Sequence, residues 1–129
     1  MTPLRLTGIR ACVFDAYGTL FDVNSAAAQA KDAVAESGIA DLIDAVLSVE
    51  DVKMYKPHPS VYRLAIERLG LERGQICFLS SNAWDAYAAK AFGLHVLWCN
   101  RFGQAPERIP ERPDGEISTL ATLPEIVGA

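Results

Sequence analysis

Three observations predict an α/β fold of three layers, with a mostly parallel sheet and helices on both of its faces. Short runs rich in β-branched and aromatic residues alternate with helical patterns, as in βαβ units. These runs are apolar continuously rather than at every second residue, which is how a strand covered on both sides reads. Small polar clusters or turn residues close the runs: Asp15 ahead of Gly18, Lys56 with its flanking prolines, and Ser80-Ser81-Asn82. In open parallel sheets, ligands sit beyond the carboxyl ends of the strands, so chemistry is expected at those clusters.

The elements follow in order. Met1–Gly8 is a lead-in. A first strand is predicted over Ile9–Phe14, delivering Asp15 to the turn at Gly18. Asn24 or Ser25 can cap an alanine-rich helix over Ser25–Ser37 that stops at Gly38. Ala40–Ile43 adds a short turn, Ala45–Val49 is a second strand, and Glu50–Tyr55 connects onward. Lys56-Pro57-His58-Pro59 is rigid, because each proline fixes its own φ and restricts the residue before it. Ser60–Leu69 is a helix with Val61, Leu64, Ala65 and Leu69 on one face, stopped by Gly70. Ile76–Leu79 is a third strand, Ala83–Phe92 a helix closed by Gly93, and His95–Cys99 a fourth strand. Phe102–Gly115 holds three prolines and several charges and reads as surface loop. Glu116–Ser118 is a short edge strand and Leu123–Val127 a last turn of helix. There are no internal repeats.

Composition narrows the function. The 129 residues suffice for one domain with a real core, 1–129, and 50% hydrophobic with 22% charged residues is an ordinary globular balance. A net charge of −4 without a basic cluster argues against nucleic acid. Asp15 and the glycines interrupt the first apolar run, so no secretory leader is expected, and no stretch is long enough to span a bilayer. Cys12, Cys77 and Cys99 lack metal-like spacing and fall in strand-like runs. Buried thiols in a reducing cytoplasm are the expectation. His58 and His95 are too isolated to suggest a metal.

Three polar clusters fall at strand ends. Asp15 stands with Tyr17 and Thr19, Lys56 with Tyr62, and Ser80 with Asn82 and Asp85. A carboxylate can attack carbon or phosphorus and form an ester, and a nearby cation keeps it ionised. Asp15 reads equally as such a nucleophile or as the cap of the turn after it. Lys56 reads as its cation or as a surface lysine in a tight turn. Ser80 or Asn82 can cap the following helix, and Asp85 in its first turn complements the macrodipole. Asp85 can also pair with Lys56 and orient a water, with Ser80 and Asn82 holding the network. Tyr62 can reach a substrate carboxylate, while Trp84 and Tyr17 can wall an apolar pocket. As structure alone, such aromatics are core.

Together these residues resemble the haloacid dehalogenase superfamily, and within it the L-2-haloacid dehalogenases. FDAYGTLFDV at Phe14–Val23 resembles the family's nucleophile motif. YKPHPSVYRLA at Tyr55–Ala65 looks like its lysine motif, and FLSSNAWDA at Phe78–Ala86 like its last. The resemblance implies a Rossmann-like core with Asp15 as nucleophile and Thr19 orienting it. Lys56, Tyr62, Ser80, Asn82 and Asp85 match the remaining polar positions. It implies hydrolysis of (S)-2-haloacids to (R)-2-hydroxyacids through an aspartyl ester, without a metal or other cofactor. The family's phosphatases carry a second aspartate two residues after the nucleophile to protonate an alkoxide. Here that position is Tyr17, which cannot serve at neutral pH, whereas halide leaves without a proton.

The pattern departs from the family between Asp22 and Ala45. Only about twenty residues stand where relatives insert a helical cap and a strand ending in Ser-Asn, too few for four helices. The join is expected within about 24–38. The missing part normally supplies an arginine for halide and substrate carboxylate and closes the pocket. Losing a donor of that kind has cost roughly 3–4 kcal/mol elsewhere. Weak turnover is therefore expected, together with an open sheet edge that invites a homodimer, strand- or domain-swapped. The competing readings are a phosphatase of the same superfamily, a receiver-like phosphoacceptor domain, and an inactive oligomerising remnant. A receiver would need an acidic pair beside the first strand, which the residues around Arg10-Ala11-Cys12 do not offer.

Overall fold

The structure, a computed structural model, describes residues 4–15, 19, 43–45, 47, 56, 58–108 and 112–128. Its sheet has four strands in the order β1 (Ala11–Phe14), β2 (Ile76–Ser80), β3 (His95–Cys99) and β4 (Gly115–Ile117), all parallel. Three helices are described: α1 (Pro59–Leu69), α2 (Ala83–Phe92) and α3 (Leu123–Val127). Single 3-10 turns at Arg73–Gln75 and Leu120–Thr122 lead into β2 and α3. The expected helix over 25–37, and positions 46, 48 and 49 of the expected strand over 45–49, lie outside the described residues.

The continuous apolar runs explain the layering. In β2, Ile76 and Phe78 face a cluster with Tyr62, Ala65, Ala86, Tyr87 and Ala89, from α1 and α2. Cys77 and Leu79 face the opposite cluster, with Leu123 and Ile126 from α3. β3 repeats the division, Val96 and Trp98 to the first side, Leu97 and Cys99 to the second. Alternate side chains of a strand leave opposite faces, so a strand buried on both sides must be apolar throughout. The lead-in joins the second layer, where the Leu6 amide donates to the Ile126 carbonyl at 2.8 Å.

The helix ends follow local chemistry. α1 starts one residue earlier than the serine suggests, with Pro59 in its first turn and His58 as N-cap, whose ring accepts from the Ser60 amide. Gly70 at φ 64° and Gly93 at φ 114° end α1 and α2 in the left-handed region that a side chain would resist. β4 begins at Gly115, one residue before the expected edge strand. Cys12, Cys77 and Cys99 are free thiols; Cys77 and Cys99 are buried, while Cys12 is half-buried. No helix among the described residues is long and apolar enough to cross a membrane.

This topology places the residues that follow β1 and β2 at one end of the sheet. The Asp15 amide continues the β1–β2 ladder by donating to the Leu79 carbonyl at 2.9 Å, so Asp15 is displayed from a hydrogen-bonded strand end.

Candidate active site

The Asp15 carboxylate has different surroundings at its two oxygens. Oδ1 receives the Lys56 ammonium at 3.0 Å. Oδ2 faces three donors: the Thr19 hydroxyl at 3.2 Å, the Ser80 hydroxyl at 3.3 Å and the Asn82 amide at 3.3 Å. Lys56 also reaches Asp85 Oδ2 at 2.7 Å and so bridges two carboxylates. Asp85 is fully buried, and its Oδ1 accepts from the Tyr62 hydroxyl at 2.7 Å. A carboxylate in that position requires paired charge and hydrogen bonds, and it has both. The arrangement joins Asp15, Thr19, Lys56, Tyr62, Ser80, Asn82 and Asp85, which are separated by up to 70 positions along the chain.

Electrostatics keeps Lys56 charged. Burial alone would lower its pKa, but the Asp85 and Asp15 carboxylates more than offset that and hold it above the ordinary lysine range. Its ammonium also lies 5.4 Å from the centre of the Phe78 ring. Burial, and then the adjacent Asp85 charge, push the Tyr62 hydroxyl far above the usual phenol range. Tyr62 therefore serves as a donor throughout the physiological range.

Several sequence readings acquire a definite form. Asn82 stands at the N-cap of α2, yet its side chain makes no capping bond; its amide is spent on Asp15. Asp85 is in the first turn of α2, with its carboxylate spent on Lys56 and Tyr62. Where the sequence suggests a Tyr62 hydroxyl turned to a substrate carboxylate, the structure commits its proton to Asp85 and buries the ring to 3% exposure. Trp84, on the first turn of α2, is 46% exposed. Tyr17 lies outside the described residues.

Four further residues hold this site; Ser81 belongs to the cluster the sequence marks, whereas Trp98, Arg101 and Phe78 are not singled out there. The Ser81 amide donates to the Thr19 hydroxyl at 2.9 Å, and the Trp98 indole donates to the Ser81 carbonyl at 3.2 Å. The Arg101 guanidinium donates to the Thr19 carbonyl at 2.9 Å. Phe78 lies beneath Lys56. Ser81 directly follows β2 and Arg101 is the second residue after β3, positions where polar residues merit scrutiny in a parallel sheet, whereas Trp98 and Phe78 carry no signal beyond that of core.

No group of three or more His, Cys, Asp or Glu side chains gathers as a metal site among the described residues. What stands at the sheet end is a carboxylate with one oxygen turned to a cation and the other to neutral donors. A lysine–aspartate–tyrosine chain lies beside it, with Asp85 and Tyr62 buried and Lys56 partly exposed. Such a set can attack an electrophilic carbon and then hydrolyse the resulting ester.

A fold with this strand-end aspartate and lysine defines a class, and sequence comparison agrees. The family model for haloacid dehalogenase-like hydrolases matches residues 24–93, more than half of the chain. The chain belongs to that family. It is similar to the (S)-2-haloacid dehalogenase of Pseudomonas sp. (strain YL), at 44% identity over 93 residues, covering 72% of this chain and 40% of that protein. Similarity to haloacetate dehalogenase H-2 of Moraxella sp. (strain B) is 33% over 127 residues, covering 98% of this chain and 53% of the relative. Among solved structures, it resembles the L-2-haloacid dehalogenase of Xanthobacter autotrophicus with chloropropionic acid covalently bound. The TM-score is 0.71 at 32% identity, over 77% of this chain and 50% of that one. The chain thus spans about half the length of the relatives it matches.

Proposed function

We propose that this chain carries the catalytic core of a hydrolase that cleaves the carbon–halogen bond of (S)-2-haloacids and yields (R)-2-hydroxyacids. The observation that carries the reading is the asymmetry at Asp15. With Thr19, Ser80 and Asn82 all on Oδ2, Oδ1 is the oxygen left to act, steadied by Lys56. Oδ1 attacks the halogen-bearing carbon, its electron pair forms the C–O bond, and halide departs with the C–X pair, inverting that carbon. The product is an ester whose carbonyl oxygen is Oδ2.

Water then adds to the carboxyl carbon of Asp15. Negative charge develops on Oδ2, where the three donors already stand. Asp85 takes the proton of the attacking water, using the second lone pair of an oxygen bonded to Lys56 or Tyr62. The Cγ–Oδ1 bond then breaks, and Asp85 passes that proton to the departing oxygen, so the hydroxyacid leaves. Asp15 keeps the water-derived oxygen and returns as a carboxylate once the remaining water proton passes to solvent. Tyr17 and Trp84 are assigned to the wall of the substrate pocket. The covalent chloropropionate complex of the Xanthobacter relative supports a covalent route. The halide needs no proton donor at position 17, which favours this reading over phosphate-ester cleavage.

Turnover by this chain alone is expected to be low. About twenty residues between Asp22 and Ala45 leave no room for a four-helix cap, and no arginine occurs between Arg10 and Arg63 to receive halide. A homodimer formed through the sheet edge is expected to accompany that gap, and sedimentation tests it. The function itself is tested by halide release from (S)-2-chloropropionate, with intact mass to detect an alkyl ester on Asp15. The expected result is slow release and an adduct, both absent in Asp15→Asn. Neither halide nor adduct would overturn the reading, and a rate equal to that of full-length relatives would overturn the impairment.

A further inference from the structure

Trp98 reads as a core residue, 2% exposed and packed edge-on against Tyr87 at 6.3 Å between ring centres. Its indole nitrogen, however, is directed at the sheet's functional end. Trp98 stands opposite Ser80 in the β2–β3 register, so its side chain lies beside the residues that follow β2. The indole N–H donates to the carbonyl of Ser81 at 3.2 Å. That carbonyl belongs to the same peptide unit as the Asn82 amide, which donates to Ser80 Oγ at 3.1 Å. One planar group is therefore held at both ends, by Trp98 at its oxygen and by Ser80 at its nitrogen.

The consequence concerns proton direction. A hydroxyl that accepts from an amide has its own hydrogen free for another acceptor. Ser80, accepting from Asn82, turns its hydrogen toward Asp15 Oδ2 at 3.3 Å. Asn82, carried by the clamped peptide, presents its side-chain amide to the same oxygen at 3.3 Å. Thr19 accepts from the Ser81 amide at 2.9 Å and has Asp15 Oδ2 within 3.2 Å. Two of the three donors on Oδ2 thus depend directly on the orientation of the Ser81–Asn82 peptide, and the third depends on the peptide unit before it.

We propose that Trp98 is a positioning residue, whose indole N–H fixes the Ser81–Asn82 peptide plane and so aims Ser80 and Asn82 at Asp15. This rests on the reading of Asp15 as nucleophile only for its kinetic consequence; the geometric part stands without turnover. Losing the N–H frees the peptide to rotate and blurs the donor set, without touching the substrate. The chemical step therefore suffers while binding does not.

The test uses the ¹⁵N-labelled full chain and two replacements at one position. Trp98→Phe removes the N–H and some volume. Site-specific 3-benzothienylalanine at position 98 removes the N–H and keeps the bicyclic volume. In both, the backbone amides of Ser81 and Asn82 and the side-chain amide of Asn82 are expected to shift, while the amides of β4 and α3 stay in place. With (S)-2-chloropropionate, kcat falls about tenfold at unchanged KM, the loss of roughly one hydrogen bond's worth of alignment. A residue that only fills space would leave the benzothienyl chain with native shifts and native kcat, and that result overturns the proposal. If Trp98→Phe fails to fold, the benzothienyl chain alone decides. Displaced Asn82 signals in a chain whose native form releases no halide would uphold the positioning and overturn the enzymatic reading instead.

Discussion

The sheet carries a lysine–aspartate pair at each end, and the two differ in what else the carboxylates are asked to do. At the amino end, Lys90 of α2 meets Asp114 Oδ1 at 3.0 Å. The other Asp114 oxygen accepts from the Val96 amide at 2.7 Å, and the Asp114 amide returns a bond to the Val96 carbonyl at 2.9 Å. His95 Nδ1 lies 3.5 Å from the same Oδ1. These contacts fasten the loop before β4 to the start of β3. At the carboxyl end, Lys56 is shared between two aspartates, and the donors on Asp15 Oδ2 are side chains with rotatable hydrogens or an amide carried on a turn. Backbone partners make a clip, because they cannot follow a changing charge without moving the strand. Side-chain donors gathered on one oxygen make a site, because they can tighten as charge develops there.

The sharpest way to break this contrast is to apply one substitution at both ends. Asp15→Asn keeps the shape and removes the nucleophile, so halide release from (S)-2-chloropropionate is expected to fall by roughly 10³-fold or more. Asp114→Asn is expected to leave kcat and KM within about twofold of native, because it lies at the opposite end of the sheet. Equal losses in halide assays of the two variants would show that the ends are not functionally distinct.

Removing the lysines sharpens the comparison in stability. Lys56→Met leaves Asp85, fully buried, with Tyr62 as partner and no cation, a change expected to cost about 3–5 kcal/mol in urea unfolding. In the native chain, folding raises the pKa of Lys56. Its contribution is full below the unfolded lysine value of about 10.4 and is lost only as pH rises through the folded value above it. Lys90→Met, whose pair is partly solvated, should cost only about 0.5–1 kcal/mol. A K56M loss no larger than the K90M loss would mean that Asp85 does not depend on its lysine.

Between these lies Tyr62→Phe. Asp85 keeps Lys56 but loses the phenol at 2.7 Å. A hydrogen bond to a charged group is worth about 1.5–3 kcal/mol, and the ring's packing against Phe78 and Phe92 is retained. Chemical unfolding measures the stability change, and an unchanged KM would support a role through Asp85 rather than on substrate.

The two ends were not equally legible in the sequence. Runs such as Ile76–Leu79 and His95–Cys99 declare buried strands, since both faces must be apolar. The carboxyl-end residues stand out because Lys56, Ser80, Asn82 and Asp85 interrupt or follow such patterns. Whether Asn82 caps α2 or serves Asp15 was open, because both uses require the same residue at the same place; only the direction of its amide separates them. Trp98 and Phe78 were hidden, since an aromatic in an apolar run is indistinguishable from packing until one of its atoms is placed. Asp114 was hidden differently. In a loop of prolines and charges nothing marks one aspartate as the partner of a strand amide 18 positions away.

The smallest expected effect is the pH response of the amino-end clip. Burial would raise the Asp114 carboxyl, but the Val96 amide and the Lys90 ammonium more than offset this and hold it below the usual aspartate value. A depressed carboxyl stabilises the fold at pH above its unfolded value near 3.9, and that contribution fades as pH falls through the lower folded value. Asp114→Asn should therefore cost about 1 kcal/mol at neutral pH, and the difference from native should shrink as pH falls below about 3.9. Urea unfolding of both chains across that interval decides the matter. A difference that stays constant with pH would assign the clip to shape and neutral hydrogen bonding, and would leave the charged pair at the carboxyl end as the one whose electrostatics count.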